Sequence, residues 1–208
     1  MHTPLTGSFP LFPLPIVALP SEAVPLHVFE ERYKTLVNLC VEQQREFGIV
    51  WAGEDGLHDV GCACRIDRIV NRQEDGRMDI LARGVAPVQI LERLSHLPYP
   101  AARVELLSDT AEEPDTGLAQ KTRRAYADLV KRATGNDPVP AELAAMDAYA
   151  LAATVEFGAE VKQGLLNLRS ENARLDLVSR LFNAASKRLD FVDLAQVRAK
   201  SNGKVHLG

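Results

Sequence analysis

Prolines at short intervals interrupt the apolar stretch LFPLPIVALPSEAVPLHVFEERY, which occupies residues 11–33. A membrane-spanning helix needs about 20 continuous apolar residues, and a secretory leader needs a basic start before an unbroken apolar run. Nothing basic precedes this stretch, and proline breaks a helix because it has no backbone N–H to donate. We therefore expect neither a leader nor a membrane anchor, and we predict short, bent strands at the start of a soluble protein.

Charge and cysteine content limit the partners and the compartment of the chain. At 208 residues it can form one large domain or two small ones. The net charge is −4, and residues 1–107 carry 10 basic against 14 acidic side chains. Because phosphate backbones are bound by a surplus of lysine and arginine, nucleic acid is not an expected partner. Three cysteines are too few for a disulfide framework, which favours a reducing cytoplasm.

Up to about residue 107 the apolar pattern is that of strands with one inserted helix. The segments PIVAL and VPLHVF are short and bounded by prolines, as edge or bent strands are. Glu30 and Glu31 then precede a stripe of mostly apolar side chains at helical spacing. Acidic residues suit the start of a helix, because the helix dipole favours anions there. The stripe consists of Tyr33, Leu36, Val37, Cys40, Val41 and Gln44. The segment FGIVWA, residues 47–52, returns to the pattern of a buried strand.

Residues 60–94 predict a long β-hairpin. Alternating apolar side chains lead to Asp75-Gly76, a two-residue turn in which glycine accepts the positive φ angle. The alternation of the return strand slips near Gly84 and Pro87, which predicts a bulge or a sharp bend. The segment PYPAARVELL supplies one further strand. Several curved strands around one inserted helix indicate a small β-barrel or a folded sheet.

Beyond a polar linker at residues 108–117 the pattern is helical. Helical spacing runs from Leu118 to Ala133, and PAELAAMDAYALAATV predicts a further helix with proline in its first turn. A narrow stripe suited to packing between helices comes later. It consists of Leu175, Val178, Phe182, Ala185 and Leu189. The tail RAKSNGKVHLG lacks apolar content and is expected to be loose.

Several of these motifs resemble the N-terminal substrate-binding domain of Lon proteases, especially its small stand-alone bacterial members. The first strand is flanked by prolines, the step into the helix follows the pattern P-L-x-x-F-E-x-R-Y, and the next strand starts with FG. The segment VKQGLLNLRSENARLDLVSRL matches more weakly. The matching motif positions are Pro25, Leu26, Phe29, Glu30, Arg32, Tyr33 and Gly84. Pro87 departs from the family, which often has an arginine there.

The resemblance implies an α+β protein with two parts. Residues 1–107 would form a PUA-like β pseudo-barrel with an inserted helix, and residues 118–208 an α-helical bundle with the loose tail, joined by the linker. The family uses this module to engage protein substrates. The resemblance therefore implies a non-enzymatic module that binds polypeptide segments or a partner protein and needs no cofactor.

The residues of the strand-to-helix step admit a structural role and, as the alternative, ligand contact. Phe29 lies just ahead of the helix, where it can pack as a staple against an apolar residue one turn in. Arg32 follows Glu30 and Glu31 closely, but near sequence neighbours do not face one another on a helix. We therefore expect the partner of Arg32 to lie elsewhere.

The catalytic motifs of Lon proteases are not found in this sequence. No G-x-x-x-x-G-K-[ST] run is present, so we expect no nucleotide-binding loop. Ser186 and Lys187 are adjacent, and adjacent side chains diverge on a helix, so they do not predict a nucleophile with its base. We predict no catalytic residues.

Cys62 and Cys64 offer the sharpest alternative, a metal site. Two residues apart on a strand, they point the same way, and with Cys40 or His58 they could ligate zinc. A closed zinc site needs about four ligands, however, and no second paired cluster exists. Because cysteine also packs as a small hydrophobe, we predict core packing and no metal.

Trp51 and His58 are the candidate binding residues. Trp51 ends the strand FGIVW beside a turn, and large aromatic residues occur both in cores and at binding hot spots. His27 is expected to be an ordinary strand residue without a catalytic role. The basic run QKTRRAYADLVKR, residues 120–132, predicts a solvated helix face, with an anionic partner as the alternative.

Two functions of different class are compatible with these residues. The first is a polypeptide-binding module, with a groove where strands and helices meet or with an open sheet edge. The alternative is a small-molecule sensor or enzyme that uses Glu54, Asp55, His58 and Asp59 near the barrel mouth. RNA binding, known for other PUA-like barrels, is disfavoured by the acidic first half.

Overall fold

The computed structural model describes residues 3–4 and 7–202, and the side chains of residues 7–190. The strands are β1 (Thr3–Pro4), β2 (Phe9–Leu14), β3 (Ala23–Val28), β4 (Phe47–Gly53), β5 (Gly56–Leu57), β6 (Val60–Arg72), β7 (Met78–Leu94) and β8 (Ala101–Leu106). The helices are α1 (Glu31–Glu42), α2 (Thr116–Thr134), α3 (Pro140–Ala145), α4 (Ala148–Ala152), α5 (Ala159–Asn167) and α6 (Glu171–Asn202). A strand-rich sheet with one inserted helix is thus followed by helices, a mixed α and β architecture.

The sheet closes on itself through β7. Its strands follow the order β1-β8-β2-β4-β6-β7-β3, with β5 paired to β4, and β7 also pairs with β8. The strands β8, β2, β4, β6 and β7 therefore form a closed circuit. Within it, β2 and β4 run parallel and the other pairs run antiparallel. The long strand β7 joins three partners, β3, β6 and β8.

The bulge that the sequence predicts in the return strand is confirmed. Ala63 pairs with Ala86, but the next residue, Cys64, pairs with Gly84, so Val85 is an extra residue in β7. An extra residue bends the strand that carries it. The bend allows β7 to leave β3 and continue toward β8.

The hairpin between β6 and β7 is also confirmed, but its turn is longer than the predicted two residues. Arg72 pairs with Met78, and the Gln73 amide donates to the Arg77 carbonyl at 2.8 Å. Gly76 has a φ of 82°, and its amide donates to the Gln73 carbonyl at 3.0 Å. The glycine therefore ends a tight turn instead of lying at its centre.

Helix α1 buries most of the predicted stripe. Tyr33, Leu36, Val37 and Cys40 are buried, and the Tyr33 ring stacks on Phe12 of β2 with centroids 4.0 Å apart. Burial raises the pKa of the Tyr33 hydroxyl. The end of the stripe was predicted wrongly, because Val41 is 40% exposed and Gln44 lies beyond the helix end with a φ of 50°.

The predicted staple at Phe29 is wrong. Phe29 is 58% exposed, and its ring contacts His27 with centroids 5.8 Å apart. A staple needs an apolar residue at the fourth helical position. That position is held by Lys34, which donates to Glu31 and to the Asp75 carbonyl.

The partner of Arg32 was also predicted wrongly. Its Nε donates to the Glu30 carboxylate at 2.9 Å, and its guanidinium lies 4.6 Å from the centroid of the Tyr33 ring. Glu30 precedes the helix in an extended conformation, with φ −75° and ψ 139°. The rule that separates neighbouring side chains applies within a helix, and here the helix begins one residue later.

A loop between β2 and β3 docks on β7 at Gly84. The Ser21 amide donates to the Gly84 carbonyl and the Gly84 amide donates to the Glu22 carbonyl, both at 2.9 Å. A side chain at Gly84 would overlap the Leu19 carbonyl oxygen and would lie 3.1 Å from Cys62 Sγ. This family-motif glycine thus allows two backbones to touch.

The helical part differs from the prediction in two places. The single helix predicted from Pro140 is broken into α3 and α4, because the Asp147 carboxylate caps α4 by accepting from the Ala150 amide at 2.7 Å. Helix α5 lies in the part that is predicted to be helical, but no separate helix is predicted there from the sequence. The predicted helix over Leu118–Ala133 is confirmed as α2, and the later stripe lies on α6.

The segment between the sheet and α2 has no regular structure but is held by hydrogen bonds. The Thr110 amide donates to the Arg169 carbonyl at 2.8 Å, and the Glu112 carboxylate accepts from the Ser170 hydroxyl at 2.8 Å. Arg174, only 3% exposed, donates to both oxygens of Asp109. The predicted linker is therefore fastened to the start of α6.

One buried apolar cluster runs through both the sheet and the helices, from Phe12 and Phe47 to Tyr126 and Phe182. Of the predicted loose tail, the residues up to Asn202 continue α6, and residues 203–208 lie outside the described residues. No helix within residues 7–202 has the length and apolar character needed to cross a bilayer.

Candidate binding cleft between the sheet and α5

The hairpin of β4 and β5 carries an aromatic pair. Trp51 and His58 face each other across it, with ring centroids 4.3 Å apart and planes within 8°. The His58 amide donates to the Trp51 carbonyl at 3.0 Å, which fixes the register of the hairpin. A side chain at Gly53 would come within 3.3 Å of the indole, so this glycine leaves room for the Trp51 ring.

Two polar contacts hold α5 against the sheet. Lys162 Nζ donates to the Glu22 carboxylate at 2.5 Å, and both side chains are largely buried. The Gln163 side-chain amide donates to the Val60 carbonyl of β6 at 3.0 Å. These contacts place the first turn of α5, which carries Glu160, beside the hairpin of β4 and β5.

A cleft of about 810 Å³ lies between this hairpin and α5. Its walls include Pro15, Trp51, Glu54, Asp55, His58 and Glu160. The three carboxylates are exposed and make no hydrogen bond or ion pair with the described part of the chain. An aromatic face beside uncompensated negative charge attracts cations such as lysine and arginine side chains. The cleft therefore suits a basic ligand.

The structure brings four predicted residues together here, Trp51, His58, Glu54 and Asp55. Asp59, predicted with them, points elsewhere and accepts from Arg93 at 2.6 Å. Glu160 was not predicted, since it lies more than a hundred residues away in sequence. A carboxylate in the first turn of a helix is a common local pattern and gives no sign of what it faces.

The cysteines pack in the core, as predicted. Cys40, Cys62 and Cys64 are free and buried, and they belong to the main apolar cluster. Burial raises the pKa of the Cys40 thiol to about 11, so this thiol stays protonated near neutral pH. Within the part of the chain that the structure describes, no group of three His, Cys, Asp or Glu side chains is arranged to hold a metal ion.

The family-motif positions lie away from the cleft, at the corner of β3 and α1 and on β7. Pro25 and Leu26 are in β3, which pairs with β7, and Leu26 is buried. His27, also in β3, forms a hydrogen bond of 2.7 Å with Asp79, which together with its other contacts lowers the pKa of that carboxyl. Gly84 is linked to the cleft indirectly, because the loop that is hydrogen-bonded to it carries Glu22, the partner of Lys162.

The remaining residues considered in the sequence are Ser186 with Lys187 and the basic run on α2. Ser186 and Lys187 follow one another on α6, and no hydrogen bond joins them. In the basic run on α2, Arg123 donates to the Met146 carbonyl and Lys131 pairs with Asp137. These internal contacts favour a structural role for part of that helix face.

Comparison with known proteins gives one consistent family. A family model described as the ATP-dependent protease La (LON) substrate-binding domain matches residues 8–184. The chain is 26% identical to a Lon protease of Paraburkholderia phytofirmans, over 94% of this chain and 26% of that protein. It is 24% identical to a Lon protease of Anaeromyxobacter dehalogenans, over 84% of this chain and 23% of that protein. The chain thus spans about a quarter of the length of these curated relatives.

Two solved structures share the fold. A Lon N-terminal domain protein from Xanthomonas campestris has a TM-score of 0.62 and 23% identity, covering 82% of this chain and 95% of that chain. The N-terminal domain of a Mycobacterium avium complex Lon protease has a TM-score of 0.65 and 19% identity, covering 87% and 98%. At these identities the similarity concerns the fold.

Proposed function

This chain belongs to the family of the LON substrate-binding domain, and from that premise we propose that it is a non-enzymatic module that recognises polypeptide. Its binding site is the cleft between the hairpin of β4 and β5 and helix α5. The occupant is an extended segment with basic and apolar side chains, contributed by an unfolded substrate or by a partner protein.

The observation that carries this proposal is the aromatic pair beside unpaired carboxylates. The stacked Trp51 and His58 offer a flat surface for apolar and cationic groups, and Glu54, Asp55 and Glu160 supply the charge that attracts lysine and arginine. Trp51 is of the residue type most enriched at binding hot spots. Cavities where two parts of a chain meet are common places for ligands.

A polypeptide fits the cleft better than a small molecule does. Small-ligand sites bury about 70–90% of the ligand surface. Here all three carboxylates are exposed, so a small ligand beside them would remain largely in solvent, whereas a longer one can cross the cleft. If the protein were instead a small-molecule sensor, metabolites should raise its melting temperature by several degrees.

The architecture supports a finer description of the module. We interpret the closed circuit of β8, β2, β4, β6 and β7 as a PUA-like pseudo-barrel and the following helices as a bundle. We further propose a division into residues 1–107 and 118–208. The likeness to Lon N-terminal domains and the pairing of β7 with β8 support this interpretation.

Replacing Trp51 with alanine is expected to weaken binding of a basic, leucine-rich peptide at least tenfold. Truncating a hot-spot aromatic residue costs about 2 kcal/mol or more in binding free energy. Affinity can be measured by the fluorescence anisotropy of a labelled peptide. In the unmutated protein the same titration should change the intrinsic emission, because Trp51 is the only tryptophan in the sequence.

The control for this experiment is Phe29→Ala, which removes an exposed aromatic residue that, like the half-buried Trp51, stacks on a histidine. We expect this variant to bind the basic peptide as the unmutated protein does. If Phe29→Ala loses binding and Trp51→Ala keeps it, the site lies at the corner of β3 and α1, and the cleft assignment is wrong.

A further inference from the structure

A second groove, of about 340 Å³, lies between the end of α1 and the second half of β6. One wall is formed by Cys40, Val41, Gln44 and Arg45, and residues 65–69 form the other. It differs from the cleft in both position and chemistry, and none of the predicted site residues except Cys40 lies in it.

The groove exists because β6 extends beyond its neighbour β4. Strand β6 pairs with β4 only through Cys62, Ala63 and Cys64. From Arg65 onward it pairs with β7 alone, so its other edge faces α1. The register with β7 skips Asp67 and Val70, which makes both bulged residues. Bulges disturb the regular hydrogen-bonding edge of a strand. A long ligand strand therefore cannot pair with β6 here, and a ligand would be recognised by side chains.

The groove has an apolar component. Val41 lies near the end of α1 and is 40% exposed, while the residues on the other face of this helix are buried. Ile66 and Ile69 line the opposite wall and are half-buried. These three side chains can accept one large apolar group from a ligand.

The charged residues of the groove are mostly basic. Arg45, Arg65 and Arg68 line it, with Asp67 as the one carboxylate among the residues that form its walls. Asp67 is already bound by Arg65 at 3.2 Å and by Arg83 at 2.6 Å. Arg68 is exposed and makes no hydrogen bond or ion pair within residues 7–190. Positive charge is therefore uncompensated here, although the first 107 residues are acidic as a whole.

We propose that this groove binds an acidic polypeptide segment that carries a large apolar side chain. Carboxylates of the segment pair with Arg65 and Arg68, and its apolar side chain packs against Val41, Ile66 and Ile69. Arginine suits this role because its planar guanidinium binds a carboxylate through two hydrogen bonds. The walls contain no aromatic side chain on which a nucleic-acid base could stack, which favours polypeptide over RNA. This site goes beyond the proposed function, since its ligand is opposite in charge.

The test uses the full chain and a fluorescein-labelled peptide of alternating leucine and aspartate residues. Replacing Arg68 with glutamate is expected to raise the dissociation constant for this peptide about tenfold, since attraction becomes repulsion. The exposed Arg68 side chain makes no hydrogen bond or ion pair within residues 7–190, so the variant should fold normally. Val41→Ser, which removes part of the apolar wall, should also weaken binding.

The matched control is Arg188→Glu, the same charge change at an exposed arginine of α6 that also makes no ion pair or hydrogen bond with the described side chains. It should leave the acidic peptide bound as before, and so should Trp51→Ala, which separates this site from the cleft. The proposal is overturned if the acidic peptide does not bind, or if Arg188→Glu weakens binding as much as Arg68→Glu. It is equally overturned if single-stranded RNA of equal charge binds as tightly and loses affinity in Arg68→Glu.

Discussion

Replacing Gly84 with alanine is expected to lower the free energy of unfolding by about 3 kcal/mol. The new methyl group would overlap the Leu19 carbonyl oxygen and would lie 2.8 Å from the Leu19 carbonyl carbon. These are backbone atoms in a loop that Ser21 and Glu22 hydrogen-bond to Gly84, so they cannot rotate away as a side chain could. The loop must detach from β7, or β7 must shift. Urea denaturation of the two proteins measures the difference.

The matched control is Gly164→Ala, because a methyl group at this position of α5 meets nothing within 4 Å. Alanine favours a helix over glycine by about 1 kcal/mol, so this variant should be slightly more stable. Gly84→Ala should also weaken basic-peptide binding, since the displaced loop carries Glu22, which holds Lys162. A loss of stability below about 0.5 kcal/mol would show that the contact at Gly84 does not constrain the fold.

Replacing Arg174 with alanine is expected to cost about 3 kcal/mol of stability. Its guanidinium is buried and donates to Asp109, to Glu171 and to the Leu168 carbonyl, and it lies 4.4 Å from the centroid of the Tyr149 ring. Removal of the cation leaves two carboxylates close together without their partner. Thermal and urea unfolding both measure the loss.

Arg180→Ala is the control for this variant. Arg180 lies on the same helix and also pairs with a carboxylate, Asp176, at 3.1 Å, but its side chain is 70% exposed. Exposed pairs contribute about 0–1 kcal/mol, so stability should change little. Equal losses in the two variants would contradict the importance of the buried site.

The pH dependence of stability should also change in Arg174→Ala. The hydrogen bond from Arg174 lowers the pKa of Asp109 in the folded protein. Ionised Asp109 therefore stabilises the folded protein fully above the pKa of an unfolded aspartate, about 3.9. This stabilisation is lost as the pH falls through the lower pKa that Asp109 has in the folded protein. Without Arg174 the folded pKa rises, so the variant should lose less stability between about pH 4 and pH 2. Urea midpoints across this range test the sign.

Local patterns in the sequence predicted the elements that depend on local contacts. Helix α1, helix α2, the hairpin of β6 and β7 and the bulge near Gly84 all follow from side-chain spacing or from glycine within a short window. The errors also have local causes. Asp147 was overlooked as a cap within a run of helix formers, and a helix start placed one residue early misassigned the partner of Arg32.

Distant contacts could not be predicted in this way. The sequence predicted one side of the cleft, since Trp51, His58, Glu54 and Asp55 lie within one hairpin. It did not predict Glu160, which reaches the cleft only through the contacts of α5 with Glu22 and Val60. The basic groove was not predicted. Arg45, Arg65 and Arg68 look like ordinary surface residues until the unequal lengths of β4 and β6 place them around one opening.

The position of β2 has a consequence for synthesis of the chain on the ribosome. β2 lies between β4 and β8, and β8 ends at Leu106. Until Leu106 has emerged from the ribosome, the edge of β2 that pairs with β8 at Phe9 and Pro10 therefore has no partner, and β2 is rich in apolar side chains. We expect stalled chains ending before β8 to recruit chaperones through this edge, and longer ones to release them.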